Sequence, residues 1–303
     1  MKRVLCIAES CCDIIFGALP RIPKPGEEIY CGHFEVKAGG GANTPMVLGR
    51  IGVPVRFLTG IGDDFFGGMV KRALQESRVE LADTGVREGS ATSVSAVLST
   101  KEDRSFVSYG GSGGDFMTEK RLAEEIRQAD IVHTYLGYCL HYPISRLCAA
   151  YGKKLSLDTS CVDADSIGEA KEVLRACHFL KVNEEEALKL TKEDSPWEAA
   201  EALAAMGIEH VIVTMGAKGS IALCGGRRYE QPAISMGTCV DACGAGDSFA
   251  AGILAGAAAG LPMADMLKLG AVLSGMCVTW YGGVSDTLDA DTVRKRFHKK
   301  LEK

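Results

Sequence analysis

From Glu119 to Thr214 the chain settles into one alternation, and that alternation constrains the fold more than any other stretch. Segments of helical period at 119–129 and 141–151 each lead into a short apolar run, Ile131–Tyr135 and Lys154–Leu157. A further helix leads to His178–Val182. Asn183-Glu184-Glu185-Glu186 then opens another helix, with acids in the first turn where the macrodipole favours them. Pro196 to Met206 reads as a second helix, followed by the strand His210–Thr214. Short apolar strands separated by helices pair in parallel, because a crossover helix brings each strand back in the same direction. The expected fold is therefore α/β, a doubly wound, mostly parallel sheet flanked by helices.

The first third of the chain adds to this sheet and departs from it. Arg3 to Ala8 fits a central parallel strand. It ends in the polar segment Glu9–Asp13, and ligands of open α/β sheets bind at carboxyl ends of strands. Asp13 is thus either a contact for a polar substrate or a loop acid that caps its own backbone. Val55 to Gly60 is a second core strand, followed by a helix from Phe65 to Glu76. Three segments have no helices between them: Glu28–Lys37, which alternates loosely, and Thr92–Ser99 with Ser105–Tyr109, a hairpin around Lys101–Arg104. They are expected to form a small separate sheet. Gly110–Gly114 reads as a hinge by composition. Toward the C-terminus, Ser220–Leu223 and Arg228–Gln231 flank Gly225-Gly226 as an edge hairpin. Two helices follow the last glycine turn, Met263–Thr279 and a charged one from Asp289 to Glu302.

Composition excludes some functions. A hydrophobic content of 47% with 24% charged residues is that of a soluble globular protein, and a net charge of −5 argues against nucleic acid as a partner. The twelve cysteines include no CxxC pair and no zinc spacing, which suits reduced thiols in the cytoplasm. No apolar run is long enough to cross a membrane.

Two glycine-rich turns carry chemistry. Ala38-Gly39-Gly40-Gly41-Ala42-Asn43 opens a helix that runs to Arg50, and Asn43 brings both a donor and an acceptor, which suits hydroxyl groups. Asp241-Ala242-Cys243-Gly244-Ala245-Gly246-Asp247 opens the small-residue run Ala250–Ala259. The first N–H groups of a helix lack internal partners and the macrodipole makes that end positive, so the turn is an anion site with a carboxylate inside it.

Asp13, Gly39-Gly40-Gly41-Ala42-Asn43, Asn183-Glu184-Glu185-Glu186 and Gly244-Ala245-Gly246-Asp247, in that order, resemble the PfkB family of carbohydrate kinases, and Thr214-Met215-Gly216-Ala217-Lys218-Gly219 resembles its T-x-G-x-x-G turn. The resemblance covers essentially the whole chain. It implies a ribokinase-like fold in one domain, 1–303, with the strands of a small β-sheet lid inserted at about 15–37 and 91–112. It implies ATP-dependent phosphorylation of a sugar hydroxyl. Asp247 would be the general base, and the backbone of Gly244, Ala245 and Gly246 the anion hole. Asp13, Gly39, Gly40 and Asn43 would hold the sugar. Asn183, Thr214, Gly216 and Gly219 would line the nucleotide site, and Glu186 would position Mg²⁺. A homodimer formed through the lid is also implied. Where the family usually carries Thr this chain has Ala242, so K⁺, which relatives bind near this loop, loses a hydroxyl here. Two other readings stay open: a nucleoside kinase of the same fold, and a non-catalytic sugar-binding regulator.

Overall fold

The computed structural model describes residues 1–82, 88–101, 103–112, 116–159 and 167–297. A nine-stranded sheet forms its centre. In chain order its strands are β1 (Val4–Ile7), β4 (Val55–Leu58), β5 (Glu80–Leu81), β8 (Ile131–Tyr135), β9 (Lys154–Asp158), β10 (Phe179–Asn183), β11 (His210–Thr214), β12 (Ser220–Cys224) and β13 (Arg227–Gln231). Their spatial order is β13-β12-β11-β10-β9-β8-β1-β4-β5. Neighbours from β5 to β11 run parallel, and the antiparallel pairings, β11–β12 and β12–β13, lie together at one edge. The chain leaves β1 toward β4 on one side and later fills the other side from β8 outward. That reversal is the topological switch point, where doubly wound sheets open a crevice for ligands.

Alternation along each strand sorts the core into two layers. Leu5 and Ile7 join one cluster with Leu122 and Ile126 of α3 (Glu119–Gln128), Leu147 of α5 (Ile144–Ala150), Val173 and Leu174 of α6 (Ile167–Arg175), Leu190 of α7 (Glu184–Thr191) and Leu203 of α8 (Pro196–Ala205). Val4 and Cys6 point the other way. They join Met46 and Leu48 of α1 (Asn43–Arg50), Leu74 of α2 (Phe65–Glu76), Leu254 of α9 (Ala245–Ala259), Leu273 of α10 (Met263–Cys277) and Phe297 of α11 (Ala290–Phe297). Both faces of the sheet are thus covered, which is why its strands read as continuous apolar runs. The helix expected at 141–151 is α5, and a further short helix, α4 (Leu136–His141), precedes it. Pro143 lies between them, and a proline cannot donate to a continuing helix.

A second sheet has the order β3-β2-β6-β7, from His33–Gly40, Ser10–Leu19, Ser93–Thr100 and Arg104–Tyr109. Its central strand β2 corrects the sequence reading of Glu9–Asp13 as a loop. The chain leaves β1, turns through Ala8-Glu9 and enters a ten-residue strand whose fourth residue is Asp13. The strand reading at Glu28–Lys37 shifts to His33–Gly40, so Gly39 and Gly40 end a strand instead of forming a loop. Of the glycine run at 110–114, residues 113–114 lie outside the described residues. Gly111 and Ser112 are hydrogen-bonded to the start of β6, at Ser93 Oγ and Ala91 O. Of the C-terminal helix, 298–303 also lie outside. The described cysteines are free thiols, and no described helix is long and apolar enough to cross a membrane.

Candidate active site

The site begins as a row of residues in register at the carboxyl ends of the central strands. Tyr135 stands opposite Asp158, Asp158 opposite Lys181, and Asn183 opposite Thr214. Leu155, Leu157, Leu180 and Val182 enter the α3–α8 core, so Asp158 and Lys181 face the other side. There Phe179 packs with Phe249 and Ile253 of α9. Lys181 Nζ and Asp158 Oδ2 form a buried ion pair of 2.5 Å. Burial works against the Lys181 charge, but Asp158, then Asp247 and Glu186, outweigh it and hold the ammonium above its ordinary pKa. Removing one partner of such a pair strands a buried charge and costs about 3–5 kcal/mol.

Above this floor α9 begins. Gly244 caps it at φ 74°, and a Cβ there would run into the Gly283 backbone, so the position admits only glycine. Asp241 shapes the turn by accepting from Cys243 N at 2.9 Å and Gly282 N at 3.0 Å. The Ala245 N–H donates back to Ala242 O at 3.3 Å. The N–H groups of Gly246 and Asp247 have no partner among the described residues. Of the N–H groups expected from sequence to form an anion hole, that of Gly246 is thus unpaired among the described residues, and that of Asp247 joins it. Burial pushes the Cys243 thiol up to about 12, which keeps it protonated.

Asn43, the first residue of α1, reaches across the cleft. Its Nδ2 donates to Asp247 Oδ2 at 2.9 Å, and Thr44 Oγ1 donates to Asp247 O at 3.3 Å. A carboxylate only accepts, so the Asn43 carbonyl points away, and Oδ1 is buried without a hydrogen-bond partner. Buried polar atoms are normally paired, so this orphan acceptor, packed against Gly283, is an exception in the structure. Burial pushes Asp247 up to about 6, opposed by Lys181 and by the bond from Asn43.

Asp13 enters from the small sheet, 5% exposed. It accepts from Cys11 Sγ at 3.0 Å. Burial raises its pKa, the Cys11 bond lowers it and the charge of Asp241 raises it. A Cβ at Gly39 would fall on the Asp13 carboxylate, so this glycine is the space the acid occupies. At Gly40, φ 58°, an added Cβ would press on Cys11 Sγ. Gly39 and Gly40 thus shape the pocket around Asp13 through what they leave out.

The other expected residues lie along the row toward β11. Asn183 and Glu186 form a capping box. Glu186 N donates to Asn183 Oδ1 at 2.8 Å, and Asn183 N donates to Glu186 Oε2 at 3.1 Å. Thr159 Oγ1 also donates to Glu186 Oε2, at 2.8 Å. Asn183 Nδ2 and Glu186 Oε1 remain without partners among the described residues. Thr214 ends β11, with its hydroxyl donating to Val182 O at 3.4 Å. Gly216 begins a short 3₁₀ turn with open space where a Cβ would be, and Gly219 ends it against Gln231 O.

Sequence reasoning missed four neighbours of these groups: Cys11, Asp158, Thr159 and Lys181. For two of them the signal was present. Lys181 is a single charge inside an otherwise apolar strand, and Asp158 directly follows the strand read as ending at Leu157. Such residues are almost never buried unless paired.

The profile of the pfkB family carbohydrate kinase matches residues 1–290. Fructoselysine 6-kinase of Shigella flexneri is 28% identical over 93% of this chain and 99% of its own. The nucleoside kinase of Methanocaldococcus jannaschii is 25% identical over 99% and 98%. Among solved structures, Arabidopsis thaliana ribokinase complexed with ribose and ATP superposes with a TM-score of 0.81 at 23% identity, covering 99% of both chains. The chain belongs to the pfkB family of carbohydrate kinases, with a ribokinase-like fold, and is a phosphotransferase that acts on an alcohol group.

Proposed function

We propose that the protein transfers the γ-phosphoryl group of ATP to a hydroxyl of a sugar bound between the small sheet and α9. The observation that carries this is the Asn43–Asp247 contact. It joins two glycine turns 204 residues apart and leaves an unpaired acceptor beside the carboxylate. Asp13 and Asn43 Oδ1 orient the sugar through its hydroxyls. Asp247, ionised above about pH 6, accepts the proton of the attacking hydroxyl as the new bond to phosphorus forms. The N–H groups of Gly246 and Asp247 face the charge that builds on the phosphoryl oxygens. Thr214, Gly216, Gly219 and Asn183 line the nucleotide end, where the open space beside Gly216 admits a phosphate close to the backbone.

The donor set fits Mg²⁺. That ion takes few carboxylates and keeps its waters, and Glu186 offers one carboxylate oxygen free of protein partners. When bound, Mg²⁺ neutralises phosphate charge. We assign no role to K⁺. Ala242 lacks the hydroxyl, both Asp241 oxygens are committed to backbone N–H groups, and Lys37 Nζ already donates to Tyr281 O at 3.1 Å in the adjoining segment.

The small sheet is the lid of this site. Its exposed Phe34, Phe106, Val107 and Tyr109 form the surface through which two copies pair. Hydrogen exchange across 33–40 and 93–109 slows when sugar binds if the lid closes, and light scattering reads the dimer.

The decisive experiment is ATP consumption against a panel of sugars, amino-sugar adducts and nucleosides. Turnover with a sugar is expected. Turnover with nucleosides alone replaces the sugar in this reading. Sugar binding indifferent to ATP–Mg²⁺, with no turnover, makes the protein a binding regulator.

A further inference from the structure

Lys181 is a buried cation beneath an anion-binding turn, and the protein uses little of its hydrogen-bonding capacity. An ammonium has three N–H donors, and among the described residues only Asp158 accepts from it. The side chain is 11% exposed. The missing side chain of Gly246 opens onto it, because a Cβ there would lie 3.2 Å from Lys181 Nζ. The gap left by the second glycine of the turn therefore leads to a charged group, and it lies beside two N–H groups that also lack partners. Asp247 of α9 and Glu186 of α7 both act on Lys181 electrostatically.

We propose that Lys181 is a further catalytic residue, whose ammonium contacts the transferring phosphoryl group from the sheet side, and that Asp158 is the positioning residue that aims it. This rests on the kinase reading above. In the transfer, the sugar oxygen bonds to phosphorus and the bridging P–O bond breaks with its electron pair leaving on ADP. The hydroxyl proton passes to Asp247. Lys181 keeps its proton throughout and supplies charge. Its carboxylate partner fixes the ammonium under the turn, the preorganised charge that electrostatic stabilisation of a transition state requires. Arginine at this position would bring a planar fork where the space suits a compact ammonium.

The test compares the wild-type protein with Lys181→Met, Lys181→Gln and the double variant Lys181→Met/Asp158→Asn, which removes both charges of the buried pair together. Calorimetric titration with ADP and with the non-hydrolysable analogue AMP-PNP, both with Mg²⁺, separates γ-phosphate contact from general binding. AMP-PNP affinity is expected to fall about tenfold with ADP affinity held within about twofold. The kcat is expected to fall about 10²–10³-fold with the sugar KM little changed, as when one oxyanion donor is removed. Any folded variant that keeps the wild-type ratio of AMP-PNP to ADP affinity, or loses both equally, overturns the assignment. So does a kcat within about fivefold of wild type in the double variant. If the wild-type protein itself binds neither nucleotide, the kinase reading fails instead, and that result precedes any substitution.

Discussion

The large-sheet side of the cleft, through α9, and the small sheet each bring one acid to it, and the acids are held in opposite ways. Asp247 stands on the first turn of α9, over the parallel sheet, with Lys181 below it and Asn43 donating to it. Asp13 stands on the central strand of the small sheet, with the Cys11 thiol as its hydrogen-bond donor. Burial raises both. For Asp247 a cation and an amide pull back against burial, which leaves a carboxylate poised near neutrality, where a general base works best. Asp13 has no such cation acting on it, and its space is cut from the missing side chain of Gly39. On the function proposed above, proton transfer falls to the large-sheet side and recognition to the small sheet. That division can be broken by substitutions that cross it.

The largest expected effect is on turnover. Asp247→Asn should lower kcat about 10²–10⁴-fold while calorimetric sugar affinity stays within about twofold. Near wild-type turnover would remove the base from the scheme. Next is Gly39→Ala, whose methyl group displaces the Asp13 carboxylate. It should raise the sugar KM at least about tenfold, the cost of leaving polar groups unpaired, with kcat at saturation much less affected. A kcat loss at unchanged KM would contradict the division. A smaller effect lies in pH. The kcat/KM should fall as pH drops through about 6, the value to which burial pushes Asp247. The Asn43 bond lowers that value, so in Asn43→Ala the acid limb should move up, by about one pH unit at most. An unmoved limb would detach Asn43 from the base.

The smallest effect is on stability. Asp247 has a folded pKa above the ordinary carboxylate value near ~3.9. The folded state therefore holds its proton more tightly, and ionisation above about pH 6 destabilises it. Below about pH 4 both states are protonated and the penalty vanishes. Asp247→Asn should thus raise unfolding free energy by about 1–2 kcal/mol at pH 8 and leave it unchanged at pH 4, measured by denaturant titration. Greater stabilisation at the acid end would reverse the sign and refute the burial argument.

The same division explains what could be read in the sequence. The parallel sheet was legible because both of its faces are covered, so each strand is an apolar run bracketed by helices. What was missed there is the short helix α4, which follows β8 with no break and ends before Pro143. The small sheet was harder. Strand β2 starts Ser10-Cys11-Cys12-Asp13, and polar residues after a core strand look like a loop. The run Ile14-Ile15-Phe16 was the signal that the chain stays extended. The site was legible where backbone geometry demands glycine, as at Gly244, or where a helix start carries an acid. It was not legible where the essential fact is a side-chain meeting between strands. Lys181 and Asp158 pair only because β9 and β10 run side by side in register, and no local pattern displays that.

The Asn43–Asp247 bond also bears on how the protein is made. Its partners are separated by 204 positions, and β1 pairs with β8 more than a hundred residues downstream. Long-range closures of this kind are slow, because loop entropy is lost before contacts repay it. On a ribosome the Asn43 turn emerges early and must wait, with its buried amide exposed, until α9 has been synthesised. Catalytic competence therefore requires synthesis through α9, and a fragment that ends before α9 can hold the whole large sheet and still lack an enzyme.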